Sequence, residues 1–219
     1  MKKGGDTDRY INRELSWLSF NHRVLQEAQS ADNPLVERMR FLGIFSNNLD
    51  EFYRVRVAYL QRMASVDAKA KTTLGFSVVR TLKEIEAQIT RLQGEFDDTF
   101  VALQHELRRE GIAMVDEAHL APGDAEFVDD YFRKTVRPSL VPIMLGRGVE
   151  MPELVDGEGY LAIRLTSAEG KKKLALIQLP SHLPRFLTLP ADQGLKRVMF
   201  LDDVIREALP RIFKLFEAV

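Results

Sequence analysis

Leu82, Ile85, Ile89, Leu92, Phe96, Leu103 and Leu107 recur in steps of three and four with one position skipped. Residues three and four apart share one face of a helix, so this rhythm is the seam of a long helix packed lengthwise against others. The pattern covers residues 76–109, about 34 residues, or roughly 50 Å at the α-helical rise. A helix of that length needs apolar neighbours along it. The first part of the chain is therefore expected to be an elongated antiparallel helical bundle.

The same period holds upstream. Leu15, Leu18, Leu25 and Ala28 share one face of a first helix beginning at Asn12, with Trp17 and Phe20 beside them. Asn33-Pro34 then restarts the chain, because Asn caps helices well and Pro fits the first helical position. Glu37 falls in the favourable first turn of this second helix, and Leu35, Met39 and Leu42 face inward. Ser46-Asn47-Asn48 reads as an interruption. Asn48 with Glu51 three residues on is a variant capping box, which predicts two helices meeting at a kink. Leu49, Phe52, Leu60 and Met63 continue the stripe to a turn over residues 67–73.

Gly111 is a C-cap candidate, and beyond it the period changes. Residues 112–115 form a short strand candidate. Residues 124–135 carry Phe127, Val128, Tyr131 and Phe132 on a helix, while Pro138 and Pro142 make the next stretch extended. Gly146, Gly148, Pro152, Gly157 and Gly159 mark a long loop. Residues 160–166 and 174–179 read as an antiparallel hairpin whose tip, 168–173, is basic. Segments 186–189 and 198–201 could add strands, Asp202 is placed as the cap of a final helix, and Pro210 kinks or restarts that helix. The fold class is α+β overall: an all-α bundle over residues 1–111, then a smaller α+β domain over 112–219.

Composition narrows the chemistry. There are 0 cysteines, which excludes disulfides, thiolate catalysis and cysteine-ligated metals, and which fits a reducing compartment. A formal net charge of -1 gives no global attraction to nucleic acid, so no nucleic-acid partner is expected. Met1-Lys2-Lys3-Gly4-Gly5-Asp6 leads into no apolar segment, and no uncharged run reaches membrane-spanning length. A cytoplasmic protein without a transmembrane segment is the expectation, with peripheral membrane attachment left open.

No catalytic constellation is visible. His22, His105, His119 and His182 lack the spacing of helix-borne metal ligands, and there is no Walker A loop, GxGxxG or nucleophile elbow. Glu37, Asp50 and Glu51 could be imagined as a carboxylate metal site on adjacent helices, or as acids complementing helix dipoles. Lys171, Lys172 and Lys173 could meet a polyanion or simply be a solvated tip. Trp17, Phe20, Phe41, Phe45 and Phe52 are expected in the core rather than as ligand stackers. Asn47 and Asn48 carry more information: a cap explains one amide, and a second amide near a kink is suited to an adenine edge because it donates and accepts at once. Both readings stay open for Asn48 on these grounds.

Tyr10-Ile-Asn-Arg-Glu-Leu-Ser-Trp-Leu-Ser-Phe-Asn-His-Arg-Val-Leu-Gln-Glu-Ala28 resembles the opening of the first family of bacterial polyphosphate kinases. Asn33-Pro-Leu-Val-Glu-Arg-Met-Arg-Phe-Leu-Gly-Ile-Phe-Ser-Asn-Asn-Leu-Asp-Glu-Phe-Tyr-Arg-Val-Arg56 continues the likeness, and Pro180-Ser-His-Leu-Pro-Arg-Phe186 is similar to a strand motif of that family's head domain. The resemblance implies a homo-oligomeric kinase that reversibly moves the terminal phosphate of ATP onto inorganic polyphosphate, with Mg2+ and a phosphohistidine intermediate. It implies that Asn48 touches the adenine of ATP or ADP and that the head domain makes oligomer contacts. It also implies what is missing. The family's reacting histidine lies in later domains in a His-x-Lys arrangement, and none of the four histidines here is followed two places on by Lys. The expectation is an amino-terminal piece whose head domain is truncated, with no catalytic residue, no metal ligand and no activity alone. The alternative is a non-catalytic helical interaction module derived from that family.

Overall fold

Four helices replace the periodic segments before Gly111 in the computed structural model, which describes residues 12–66, 77–146, 150–190 and 194–218. They are α1 (Arg13–Gln29), α2 (Leu35–Phe52), α3 (Ala58–Val66) and α4 (Val78–Arg109), with a π-helical turn, Tyr53–Val57, joining α2 to α3. The turn expected at 67–73 lies outside the described residues. The chain divides into two compact units, Met1–Leu107 and Arg108–Val219.

In the first unit, Asn12 caps α1 by accepting a 2.9 Å hydrogen bond from the Glu14 amide on its side-chain oxygen. The inward stripe of α1 is Glu14, Leu18, Asn21, Leu25 and Ala28; that of α2 is Arg38, Leu42, Phe45, Leu49 and Phe52. Val78, Ile85, Ile89, Leu92 and Leu103 of α4 close the core against them, each large apolar side chain contributing about 1.5–3 kcal/mol by leaving water. Polar contacts give the helix directions. Arg38 donates to the Ala28 carbonyl at 2.9 Å and to Glu106 at 2.7 Å, so α2 runs antiparallel to both α1 and α4. Asn12, His22 and Gln29 meet Thr81, Glu95 and Thr99 in the same order, so α1 and α4 run parallel.

Three local expectations are corrected here. Asn33 does not cap α2: Pro34 holds that position, and the Asn33 amide instead donates to the Glu27 carbonyl at 2.9 Å. Phe20 is not core but 48% exposed. No break occurs at Ser46-Asn47-Asn48, because α2 is continuous to Phe52 and the irregular backbone comes later, in the π-helical turn. Asn48 is therefore a mid-helix residue rather than a cap.

Gly111 ends α4 at φ 83, in the left-handed region where glycine is favoured. The second unit follows with β1 (Ile112–Met114), α5 (Pro122–Tyr131), β2 (Ile143–Leu145), β3 (Tyr160–Ser167), β4 (Lys172–Gln178), β5 (Phe186–Thr188), β6 (Lys196–Phe200), α6 (Leu201–Glu207), α7 (Leu209–Ile212) and β7 (Phe216–Ala218). One sheet has the order β1-β6-β5, with β1 parallel to β6; the other is antiparallel in the order β2-β4-β3-β7. The expected hairpin is β3–β4, registered from Tyr160↔Gln178 to Thr166↔Lys172. Val128, Phe132 and Val136 share one core with Ile163, Leu165 and Ile177 of one sheet, Met199 of the other and Ile205 of α6.

The hairpin tip is shorter and less basic than expected. Lys172 and Lys173 belong to β4, Lys173 lying 5.4 Å over the Phe216 ring, and Lys171 pairs with Glu169 at 2.8 Å. Pro138 sits in a 3-10 turn, Arg137–Ser139, rather than in extended chain. Phe200, the last residue of β6, occupies the cap position of α6, which places Asp202 and Asp203 in its first turn. Beneath these elements the Arg197 guanidinium clasps Asp124 with contacts of 2.5 and 2.8 Å and reaches the Pro190 carbonyl at 2.8 Å.

Candidate functional site

Among the described residues of the first unit Asn21 is the most deeply buried polar side chain, at 0% exposure, on a stripe where the four-three spacing calls for an apolar residue. An unpaired amide there would cost about 1–3 kcal/mol, so both of its ends need partners. Its Nδ2 donates to the Phe45 carbonyl at 3.1 Å, and its Oδ1 accepts from Asn48 Nδ2 at 3.0 Å. Asn48 is half-buried where α1 and α2 face each other, with exposed Asn47 before it. The amide keeps an oxygen and one N–H for another partner.

The surroundings are aromatic and cationic. Trp17 stacks on Phe52 with centroids 4.5 Å apart and planes 14° off parallel, fixing α1 to α2 one helical turn beyond Asn48. The π-helical turn adds a residue to the helical repeat, so Val57 turns inward while Tyr53, Arg54, Val55 and Arg56 stay exposed. Such insertions recur at functional sites. Arg54 pairs with Glu51, and Arg56 lies 3.9 Å from the buried carboxylate of Glu14, which also holds Arg13 at 2.8 Å.

Other candidates are not assembled. Glu37, Asp50 and Glu51 all lie on α2, not on adjacent helices, and thirteen residues along one helix is roughly 20 Å. Glu37 pairs with Arg40 at 2.5 Å. His22 meets Glu95 at 2.8 Å, His119 meets Asp116 at 2.6 Å, and His182 meets the Ser139 hydroxyl at 3.1 Å. Among the described residues no group of three or more His, Asp or Glu could hold a metal ion, and no helix is long and apolar enough to cross a membrane.

Cavities open in each unit among the described residues. One, about 300 Å³, opens between α2 and α4 beside Phe45, Ser46, Leu49, Gln93, Phe96 and Asp97. Another, about 400 Å³, lies in the second unit beside Ser139, Gln178, Ser181 and His182. In that unit Asp203 titrates unusually, its carboxyl moving from 3.8 up to about 6, first because it is buried and then because Asp202 is adjacent, against the opposing pull of Arg206.

Of the residues singled out from sequence, the structure brings Asn48 into a built polar contact and leaves Asn47 exposed. Asn21 was missed. Its signal was available as a polar residue at an inward position of the stripe formed by Leu18, Leu25 and Ala28.

Comparison with known proteins covers both units. Residues 10–115 match the family model described as polyphosphate kinase N-terminal domain, and residues 123–219 match the polyphosphate kinase middle domain. A polyphosphate kinase of Vibrio parahaemolyticus is 39% identical over 211 residues, 94% of this chain and 30% of the relative. One from Escherichia coli is 37% identical over 216 residues, 97% of this chain and 31% of the relative. The crystal structure of polyphosphate kinase from Porphyromonas gingivalis superposes with a TM-score of 0.83 at 32% identity, covering 95% of this chain and 31% of that one. The chain thus spans about 30% of the length of the relatives it matches.

Proposed function

The chain belongs to the polyphosphate kinase family, and from that premise we propose that it serves as the nucleotide-side portion of an enzyme moving the terminal phosphate of ATP reversibly onto polyphosphate. In this reading Asn48 contacts the adenine, and the second unit contributes to contacts between copies of the enzyme in the cytoplasm. The observation that carries it is the Asn48 side chain, half-exposed and oriented by Asn21, with hydrogen-bonding capacity left over. Phosphoryl transfer requires cations and a nucleophile positioned together. The chain spans about 30% of its relatives' length, and in this reading the phosphorylated histidine and the magnesium ligands belong to the rest of the enzyme. No step of the reaction is routed through this chain; its residues bind and orient the base.

The test is Asn48→Ser in a complete polyphosphate kinase carrying this chain. Ser is too short to span the same contact, so KM for ATP should rise about 5- to 30-fold, the equivalent of one imperfectly replaced hydrogen bond, while KM for polyphosphate stays constant. KM does not depend on how much of the sample is folded, which separates binding from stability. An unchanged KM for ATP would make Asn48 a structural amide only.

A further inference from the structure

The Phe45 carbonyl, at the base of the Asn21–Asn48 contact, can only accept a hydrogen bond. The end of the Asn21 amide that meets it must therefore be the NH2, and this orients everything above it. Asn21 Oδ1, which can only accept, is turned toward Asn48, so Asn48 must present its NH2 inward. The two ends of an amide point in opposite directions. Asn48 Oδ1 is thus held away from Asn21, as an acceptor with a defined heading, and one Nδ2–H remains beside it. The polarity of this half-exposed side chain is set by a helix carbonyl through a residue with 0% exposure.

Resting on the reading that Asn48 meets the base, we propose that Asn21 is a positioning residue that locks the Asn48 amide carbonyl-outward, so that the site selects a purine with an amino group at position 6 over one with an oxygen there. A 6-amino group donates to the fixed Oδ1, and a neighbouring ring nitrogen accepts the remaining N–H. A 6-oxo purine sets oxygen against oxygen. An amide free to turn over would serve both bases, because flipping exchanges donor for acceptor. Locking it creates discrimination by making the wrong partner repulsive. A purely structural amide would tie α1 to α2 equally well but would leave base preference untouched.

The experiment compares kcat/KM for ATP and inosine triphosphate in the complete polyphosphate kinase carrying this chain, in wild type, Asn48→Ala and Asn21→Leu. Leu has the branched shape of Asn with two methyl groups in place of the amide and removes both hydrogen bonds, and a ratio of two substrates in one sample is independent of the folded fraction. The wild type should favour ATP about tenfold or more, the scale of one hydrogen bond gained against one repulsive contact. Both variants should fall to within about twofold of parity, Asn21→Leu through a higher KM for ATP at little-changed kcat. If Asn21→Leu fails to accumulate as folded protein, Asn21→Ala, which adds no bulk, carries the same measurement. A preference lost in Asn48→Ala but kept in the Asn21 variant overturns the positioning role and leaves the Asn48 reading standing. A preference kept in Asn48→Ala overturns both.

Discussion

Replacing Arg197 by Met tests how the second unit holds its central strand. The guanidinium is 10% exposed and its Asp124 partner 4%, so neither charge has water to fall back on. Two contacts, at 2.5 and 2.8 Å, make the pair bidentate, and a third at 2.8 Å satisfies the Pro190 carbonyl. Arg197 Nε is left without a hydrogen bond, which reduces the net worth of the arrangement but not the penalty for breaking it. Removing the cation leaves a buried carboxylate whose remaining contact is the Ala121 amide at 3.3 Å. Losing one partner of such a pair costs about 3–5 kcal/mol, whereas replacing both by apolar groups of similar volume is often near neutral. A unit of this size loses several degrees of midpoint per kcal/mol, so Arg197→Met should fall by about 15–30 °C. The double variant Asp124→Leu with Arg197→Met should recover much of that loss. Urea unfolding followed by circular dichroism gives the cycle, and hydrogen exchange over α5 and β6 localises it. A single-variant loss under about 1 kcal/mol, or a double loss equal to the sum of the singles, would refute the coupling.

Other perturbations follow from individual contacts. Asp203 is pushed from 3.8 up to about 6, so the folded state binds the extra proton between those values and stability contributed at this site declines as pH rises through that window. Asp203→Asn mimics the protonated form and should abolish that slope, stabilising the protein at pH 7 by up to about 3 kcal/mol; stability profiles parallel to wild type from acid to neutral pH would contradict the assignment. In the first unit, Arg38→Met removes the bond to the Ala28 carbonyl and the 2.7 Å pair with Glu106, which is 32% exposed. A loss of about 1–3 kcal/mol in urea unfolding is expected, and no loss would show that the two helix ends need no such tie.

Much of the helical unit was legible because its information is local. The three-four spacing from Leu82 to Leu107 placed α4, and Asn12 and Gly111 acted as the terminators their chemistry suggests. The second unit was legible for its helix α5, its hairpin and the short strands β1, β5 and β6, but not for β2 and β7. The hairpin of β3 and β4 has seven registered pairs, while β2 and β7 are three residues each and exist because β4 and β3 offer them an edge. Strand preference depends on the neighbouring surface, so such pieces carry little signal of their own. The parallel pairing of β1 with β6 is likewise set by a distant partner, Ile112 opposite Lys196.

Asn48 shows why a residue singled out from sequence can be given the wrong local role. Its sequence neighbourhood, with Glu51 three residues later, satisfies a capping pattern, and capping is how an Asn amide competes with helical backbone. That competition needs a free side-chain oxygen near the helix's own N–H groups. In the folded chain the Asn48 amide is drawn sideways to Asn21 across the α1–α2 contact, and α2 runs on without interruption. The outcome changes how substitutions at this position must be read. Both Asp and Ser are good caps, and on the capping hypothesis either would be harmless. Against Asn21 they are not: Asp places a carboxylate beside Oδ1 and Ser falls short of it, so each leaves a buried acceptor unpaired, at about 1–3 kcal/mol. A lowered thermal midpoint in an Asn48 variant therefore reports the Asn21 contact alone. KM and the preference between purine nucleotides are the quantities that distinguish a residue holding two helices together from one that also meets the base.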